Sequence, residues 1–103
     1  MDDLPLVVTV PINFDGPKAE DVGDQLRTAL SSRSVVIADL TQTCVCDLAA
    51  ICELCMAHEL ALTRGAELRI AIRSGAILHQ FAVAGLDTEL HIFASVRLAG
   101  GTS

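Results

Sequence analysis

The sequence is poor in aromatic and basic side chains, and it has no long apolar run. None of its 103 residues is Trp or Tyr and only three are Phe, so aliphatic side chains must build the core. The longest stretch without Asp, Glu, Lys or Arg is residues 74–86, thirteen residues, whereas a helix needs about 20 apolar residues to cross a bilayer. We therefore expect no insertion into a membrane.

Positive charge is scarce and scattered. Seven basic residues, among them the single lysine Lys18, stand against thirteen acidic ones, for a net charge of −6. Phosphate backbones are bound by clustered Lys and Arg, so nucleic acid is excluded as a partner and a protein with a basic surface is favoured. The acidic start of the chain lacks the basic and apolar regions of a secretion signal, which predicts a cytoplasmic location.

Hydrophobic periodicity predicts alternating strands and helices within one domain, which its length also favours. In chain order the predicted elements are a strand at 6–10, a helix at 18–30, a strand at 34–40, a loop at 41–46, a helix at 48–64, a strand at 68–72, a helix from Ser74 towards Gly85, a strand at 90–93 and a helical turn at 95–99. This order predicts an α/β fold with about four strands, mostly parallel or mixed, covered by three to four helices. The core is expected to span residues 6–99, with a flexible tail at 100–103.

The helix over residues 48–64 has the clearest end signals. Asp47 stands where an N-cap is expected, and Gly65 stands where a left-handed residue ends a helix. Its apolar face is predicted to consist of Leu48, Ile51, Leu54, Cys55 and Leu62.

All four cysteines fall within twelve residues, at Cys44, Cys46, Cys52 and Cys55. Such crowding does not fit a disulfide scaffold, and it leaves a zinc site, a redox pair or buried packing. Cys52 and Cys55 are neighbours on one helix face, and if Val45 points into the core, the other two cysteines share the opposite side. We favour packing as small apolar side chains, without a cofactor, and keep a zinc or thiol protein as an alternative.

The local residues of the central segment narrow the choice of fold. The strand Val35–Leu40 ends in Asp39-Leu40-Thr41, Asp47 follows eight residues after Asp39, and the next helix closes with Arg64-Gly65. This arrangement resembles the STAS domain, the family of bacterial anti-sigma-factor antagonists that also occurs on anion transporters and in stressosome proteins.

The flanking segments agree with that resemblance. Residues 67–72 look like the third core strand of the family, and Ser74 is placed to open the next helix. The segment 84–87, Ala-Gly-Leu-Asp, is similar to a frequent helix ending in the family. Phe14-Asp15 stands where the family has a Gly-Glu-Leu-Asp turn, although the glycine and the glutamate of that turn are missing.

The phosphorylation switch of the family is missing as well. STAS antagonists carry a serine or threonine directly after the capping aspartate, but Asp47 is followed by Leu48, Ala49 and Ala50, none of which has a hydroxyl. Phosphorylation at the usual place is therefore chemically impossible. The nearest alternative hydroxyls belong to Thr41 and Thr43, which are weaker candidates.

The resemblance implies a binding module and not an enzyme. Its expected partner is an anti-sigma factor of the serine-kinase type, so the implied role is regulation of transcription in a bacterium. The partner-binding residues that the resemblance implies are Asp15, Thr41, Asp47, Leu48 and Ala49. The alternative within binding modules is a STAS subunit of a larger complex, such as a lipid-transport ATPase or a stressosome-type assembly.

Overall fold

The computed structural model describes residues 4–101, so the acidic start at 1–3 and the last two residues of the expected tail lie outside the described residues. The strands are β1 (Leu6–Thr9), β2 (Asn13–Phe14), β3 (Val35–Leu40), β4 (Val45–Cys46), β5 (Glu67–Ile72) and β6 (His91–Phe93). The helices are α1 (Gly16–Leu30), α2 (Leu48–Arg64) and α3 (Gly75–Val83).

Four strands form the main sheet in the order β1-β3-β5-β6, and every neighbouring pair is parallel. One register row crosses the sheet from Val8 through Ala38 and Ile70 to Ile92. Each of the three crossovers carries a helix, as parallel pairing requires of a chain that must return to the same edge. The α/β class predicted from the sequence is confirmed.

The two faces of the sheet bury different sets of side chains because successive residues of a strand point to opposite sides. Val8, Ala38 and Ile70 belong to the larger core cluster, which also holds side chains of all three helices. Ile37 and Ala71 face the other side, where Ala99 of the C-terminal segment packs over them. The Arg69 guanidinium fixes that segment by donating to the Ala99 carbonyl at 2.8 Å.

The helix-end signals in the sequence are confirmed. The Asp47 carboxylate caps α2, and Gly65 ends the helix with φ +69°. The Ser74 hydroxyl accepts from the Ile77 N–H at 3.3 Å and caps α3. The expected turn over 95–99 also forms, since the Ala99 N–H donates to the Ser95 carbonyl at 3.1 Å.

The predicted apolar face of α2 was wrong at two positions. Leu48 and Leu62 are exposed, whereas the buried residues of the helix are Ala50, Ile51, Leu54, Ala57 and Ala61. Alanines let α2 approach the sheet and α1 closely, and the larger leucines at its two ends are left outside. At Gly23 of α1 an added Cβ would lie 1.8 Å from Glu53 Oε1 of α2, so only glycine fits there without a shift of the Glu53 side chain.

A second, two-stranded parallel sheet pairs β2 with β4, and no pattern in the sequence predicts it. The sequence predicts no element between residues 10 and 18, and it predicts a loop at residues 41–46. Each strand has only two residues, which is too short for an alternating pattern to be recognised. The pairing exists because the Ile12 carbonyl accepts from both Cys44 N–H and Val45 N–H, at 2.8 and 3.1 Å.

Candidate functional site

The start of α2 is tied to the start of α1 through one side chain. Asp47 Oδ1 accepts from the Ala50 N–H at 2.8 Å, which satisfies an amide of the first helical turn. Asp47 Oδ2 accepts from the Gly16 N–H at 3.3 Å, 31 residues earlier in the chain. A single carboxylate therefore holds both helix starts in one place.

The β2–β4 sheet and α3 hold the segment that leads into α2. Phe14 is fully buried in the core, and its carbonyl accepts from the Asp47 N–H at 3.4 Å. The Gln80 side chain of α3 donates to the Cys46 carbonyl at 2.9 Å, which ties β4 to that helix. Backbone pairing and these two bonds fix the segment that leads into α2.

Leu48, the first residue of α2, is 74 % exposed although its side chain is a leucine. It borders a groove of about 290 Å³, which we call the Leu48 groove; its lining residues are Leu48, Ile51, His79, Gln80, Val83 and Ala84. Val83 on the far side of the groove is 75 % exposed. Exposed apolar side chains around a groove are typical of a surface that binds another protein.

The structure brings together four of the five residues implied as partner-binding. Asp15 is the N-cap residue of α1 and precedes Gly16, the amide partner of Asp47. Leu48 and Ala49 follow Asp47 and are exposed. Their joint role in binding stays a prediction.

Thr41 directly follows β3, and within residues 4–101 no hydrogen bond links it to that group. Its N–H and its hydroxyl both donate to Asp39 Oδ1, at 2.9 and 2.6 Å, and the residue is half-buried. Thr43 is more enclosed, with 3 % of its surface exposed and its hydroxyl donating to the Pro11 carbonyl at 3.0 Å. Burial and this hydrogen bond make the Thr43 hydroxyl inaccessible to a kinase, whereas Thr41 stays a weaker candidate.

The four cysteines are free thiols in different environments. Cys46 is buried, and burial raises the pKa of its thiol to about 11, with a smaller contribution from the Asp47 charge. Cys55 is half-buried; burial, and then the charge of Cys52, raises the pKa of its thiol. Cys44 is exposed.

The cysteines do not converge on one point. Val45 is exposed and Cys46 is buried, so β4 has the opposite orientation to the one that would place Cys44 and Cys46 together outside the core. Within residues 4–101, no three His, Cys, Asp or Glu side chains are grouped as ligands of a metal ion. The zinc alternative thus lacks a donor set in this part of the chain.

The sequence does not predict that α3 contributes to the Leu48 groove. The sequence places four large apolar residues in this helix, and Ile77 and Phe81 suffice for the core. Leu78 and Val83 are left exposed. The sequence signal that could have predicted this surface is that α3 contains more large apolar residues than it has positions facing the core.

Between residues 4 and 101, the chain contains no helix with both the length and the apolar character needed to span a membrane.

Comparison with known proteins identifies the family. The family model of the STAS domain matches residues 2–99, nearly the whole chain. The fold is similar to the crystal structure of a sulfate transporter family protein from Wolinella succinogenes, with a TM-score of 0.76 and 18 % sequence identity over 93 % of this chain and 81 % of that one. No curated protein sequence matches. An α/β sheet of this topology, the capped α2 start and the family match together show that the chain belongs to the STAS domain family.

Proposed function

We propose that this STAS domain is a protein-binding regulator in the bacterial cytoplasm that resembles the anti-sigma-factor antagonists. It docks a kinase-type anti-sigma factor through the start of α2 and is not an enzyme. The observation that carries the proposal is the exposure of Leu48 beside the apolar groove and directly after the Asp47 cap.

The chemistry of the surface specifies the partner in general terms. Burying one exposed leucine is worth about 1.5–3 kcal/mol, so Leu48 is suited to be the anchor of an interface. The acidic residues Asp15 and Asp47 stand beside it, and the whole chain carries a net charge of −6. A partner with an apolar centre and a basic rim would be complementary.

Binding through this surface would be constitutive. A phosphate placed at the start of α2 would add about −1.5 to −2 charges, and the cost of desolvating it against the apolar centre of the partner would disrupt docking. Leu48, Ala49 and Ala50 offer no oxygen for such a phosphate. The sequence thus supports an antagonist that lacks the off-switch of its family.

The experiment is a pairwise pull-down with purified kinase-type anti-sigma factors from the host. The proposal expects at least one of them to bind, and expects Leu48→Asp to abolish that binding. Leu62→Asp is the matched control, because Leu62 is an exposed leucine at the other end of the same helix. Equal loss in both variants, or capture of none of the factors, would contradict the proposal.

The same variants also test the alternative role as a subunit of a larger complex. If the alternative is right, subunits of the host's lipid-transport ATPases or stressosome-type assemblies would be captured by the parent protein and not by Leu48→Asp. The kinase-type anti-sigma factors would not be captured.

A further inference from the structure

A second cavity lies away from α2, at the carboxyl ends of the strands of the main sheet. Its volume is about 260 Å³, and its lining residues are Asp39, Thr41, Arg73, Ser95, Val96 and Arg97. Asp39 stands in β3, Arg73 directly follows β5, and the others belong to the turns after β3 and β6.

Two exposed arginines, Arg73 and Arg97, line this cavity, and neither is within ion-pair distance of Asp39 or of any other carboxylate in residues 4–101. Arg27 and Arg69 form ion pairs with carboxylates, and Arg33 donates to the Leu4 carbonyl. The guanidinium groups of Arg73 and Arg97, in contrast, make no ion pair or hydrogen bond with any residue of the described range 4–101. In a chain with thirteen acidic residues, two unpaired guanidinium groups in one cavity indicate an anionic ligand.

The hydroxyl of Ser95 adds a further donor to the cavity. Ser95 Oγ accepts from the Leu98 N–H at 3.0 Å, which leaves the hydroxyl proton for another acceptor. Guanidinium and hydroxyl donors are the groups that bind oxyanions in proteins.

Asp39 restricts which oxyanion fits. Its Oδ1 accepts both hydrogen bonds from Thr41, and within residues 4–101 no hydrogen bond reaches Oδ2. An ionised carboxylate only accepts hydrogen bonds, so it repels an oxyanion that has lost every proton. An oxyanion that keeps one O–H can donate it to the carboxylate instead.

We propose that this cavity binds inorganic phosphate and discriminates against sulfate. Near pH 7 inorganic phosphate still carries a proton that can be donated to Asp39, while its other oxygens accept from Arg73 and Arg97. Sulfate has no proton at this pH. A phosphomonoester, whose second pKa is about 6, is mostly a dianion without one.

The proposal is tested by isothermal titration calorimetry of the full chain with inorganic phosphate, sulfate and glycerol phosphate at pH 7 and constant ionic strength. Phosphate is expected to bind at least about tenfold more tightly than either of the other two, because only phosphate can donate a charge-assisted hydrogen bond to Asp39. Equal affinity for phosphate and sulfate, preference for glycerol phosphate, or no heat of phosphate binding would overturn it.

Variants separate the roles of the two charges. Arg73→Gln and Arg97→Gln should each weaken phosphate binding about tenfold. Arg64→Gln, which removes the same charge from the exposed end of α2 at the opposite edge of the sheet, should leave it unchanged. An equal effect of all three would show that only net charge matters, against the proposal.

Asp39→Asn is the most specific variant. The amide oxygen of the new side chain can still accept from Thr41, while an amide N–H₂ group takes the place of the carboxylate oxygen that has no hydrogen bond. Sulfate should then bind as tightly as phosphate. A persisting preference for phosphate in a variant whose circular dichroism and thermal unfolding match the parent would show that Asp39 does not select the anion.

Discussion

Asp47 Oδ2 accepts a hydrogen bond from the backbone N–H of Gly16 at 3.3 Å, which connects the starts of α2 and α1 across 31 residues of sequence. The other carboxylate oxygen of Asp47 caps its own helix. The aspartate that stands before the switch position of the family is therefore also a structural residue in this chain.

Asp47→Ala is expected to lower the free energy of unfolding by about 1–2 kcal/mol, because a cap and a long-range hydrogen bond are lost together. Urea denaturation followed by circular dichroism measures the change. Asp15→Ala is the control, since Asp15 occupies the N-cap position of α1 without a side-chain cap hydrogen bond, and its loss should stay within about 0.5 kcal/mol. Similar losses in both variants would be inconsistent with a special role of Asp47.

The cysteines should react with alkylating reagents at different rates. Cys44 and Cys52 are exposed and should be modified first at pH 8 in the native protein. Cys46 should remain protected, because burial excludes the reagent and raises the pKa of its thiol to about 11. Peptide mapping by mass spectrometry after short exposure to iodoacetamide gives the order, and unfolding in urea should make all four react alike.

The ion pair of Glu67 with Arg69 should make the free energy of unfolding depend on pH in the acidic range. The hydrogen bond from Arg69 lowers the pKa of Glu67 in the folded protein below its ordinary value of 4.5, and the Arg69 and His91 charges lower it further. A carboxylate whose pKa is lowered by folding stabilises the fold above pH 4.5, and this contribution is lost as the pH falls through the folded pKa.

The corresponding test compares the parent protein with Glu67→Gln. We expect the variant to be less stable at pH 7 by no more than about 1 kcal/mol, since the pair is partly exposed to solvent, and the difference to disappear at a pH below the folded pKa of Glu67. Urea denaturation at both pH values measures it. A difference that grows on acidification would contradict the assignment.

Incubation with an anti-sigma kinase and ATP should place no phosphate at residues 47–50 or at Thr43. The first segment has no hydroxyl, and Thr43 is buried with its hydroxyl bonded to Pro11. Leu48→Ser restores a hydroxyl directly after Asp47 and should become phosphorylated by a kinase that docks there. Phosphopeptide mapping decides, and phosphate at Thr41 in the parent protein would instead support an alternative switch.

Most of the main elements could be predicted because their signals are local. The apolar run of β3, the cap at Asp47 and the left-handed Gly65 each depend on a few consecutive residues. The site was only partly predictable. Asp47 and Leu48 stood out in the sequence, but the groove beside Leu48 needs α3, whose Val83 is 35 residues away.

The sequence by itself determined the order of the four main strands and the three helices, the ends of α2 and the absence of a hydroxyl at the start of that helix. Tertiary structure decided which surfaces these elements share. It paired β2 with β4, put Leu48 and Leu62 outside the core, and brought Arg73 and Arg97 to the cavity of Asp39. Local propensities act over a few residues, whereas these juxtapositions depend on backbone pairing and packing between segments that are distant in the chain.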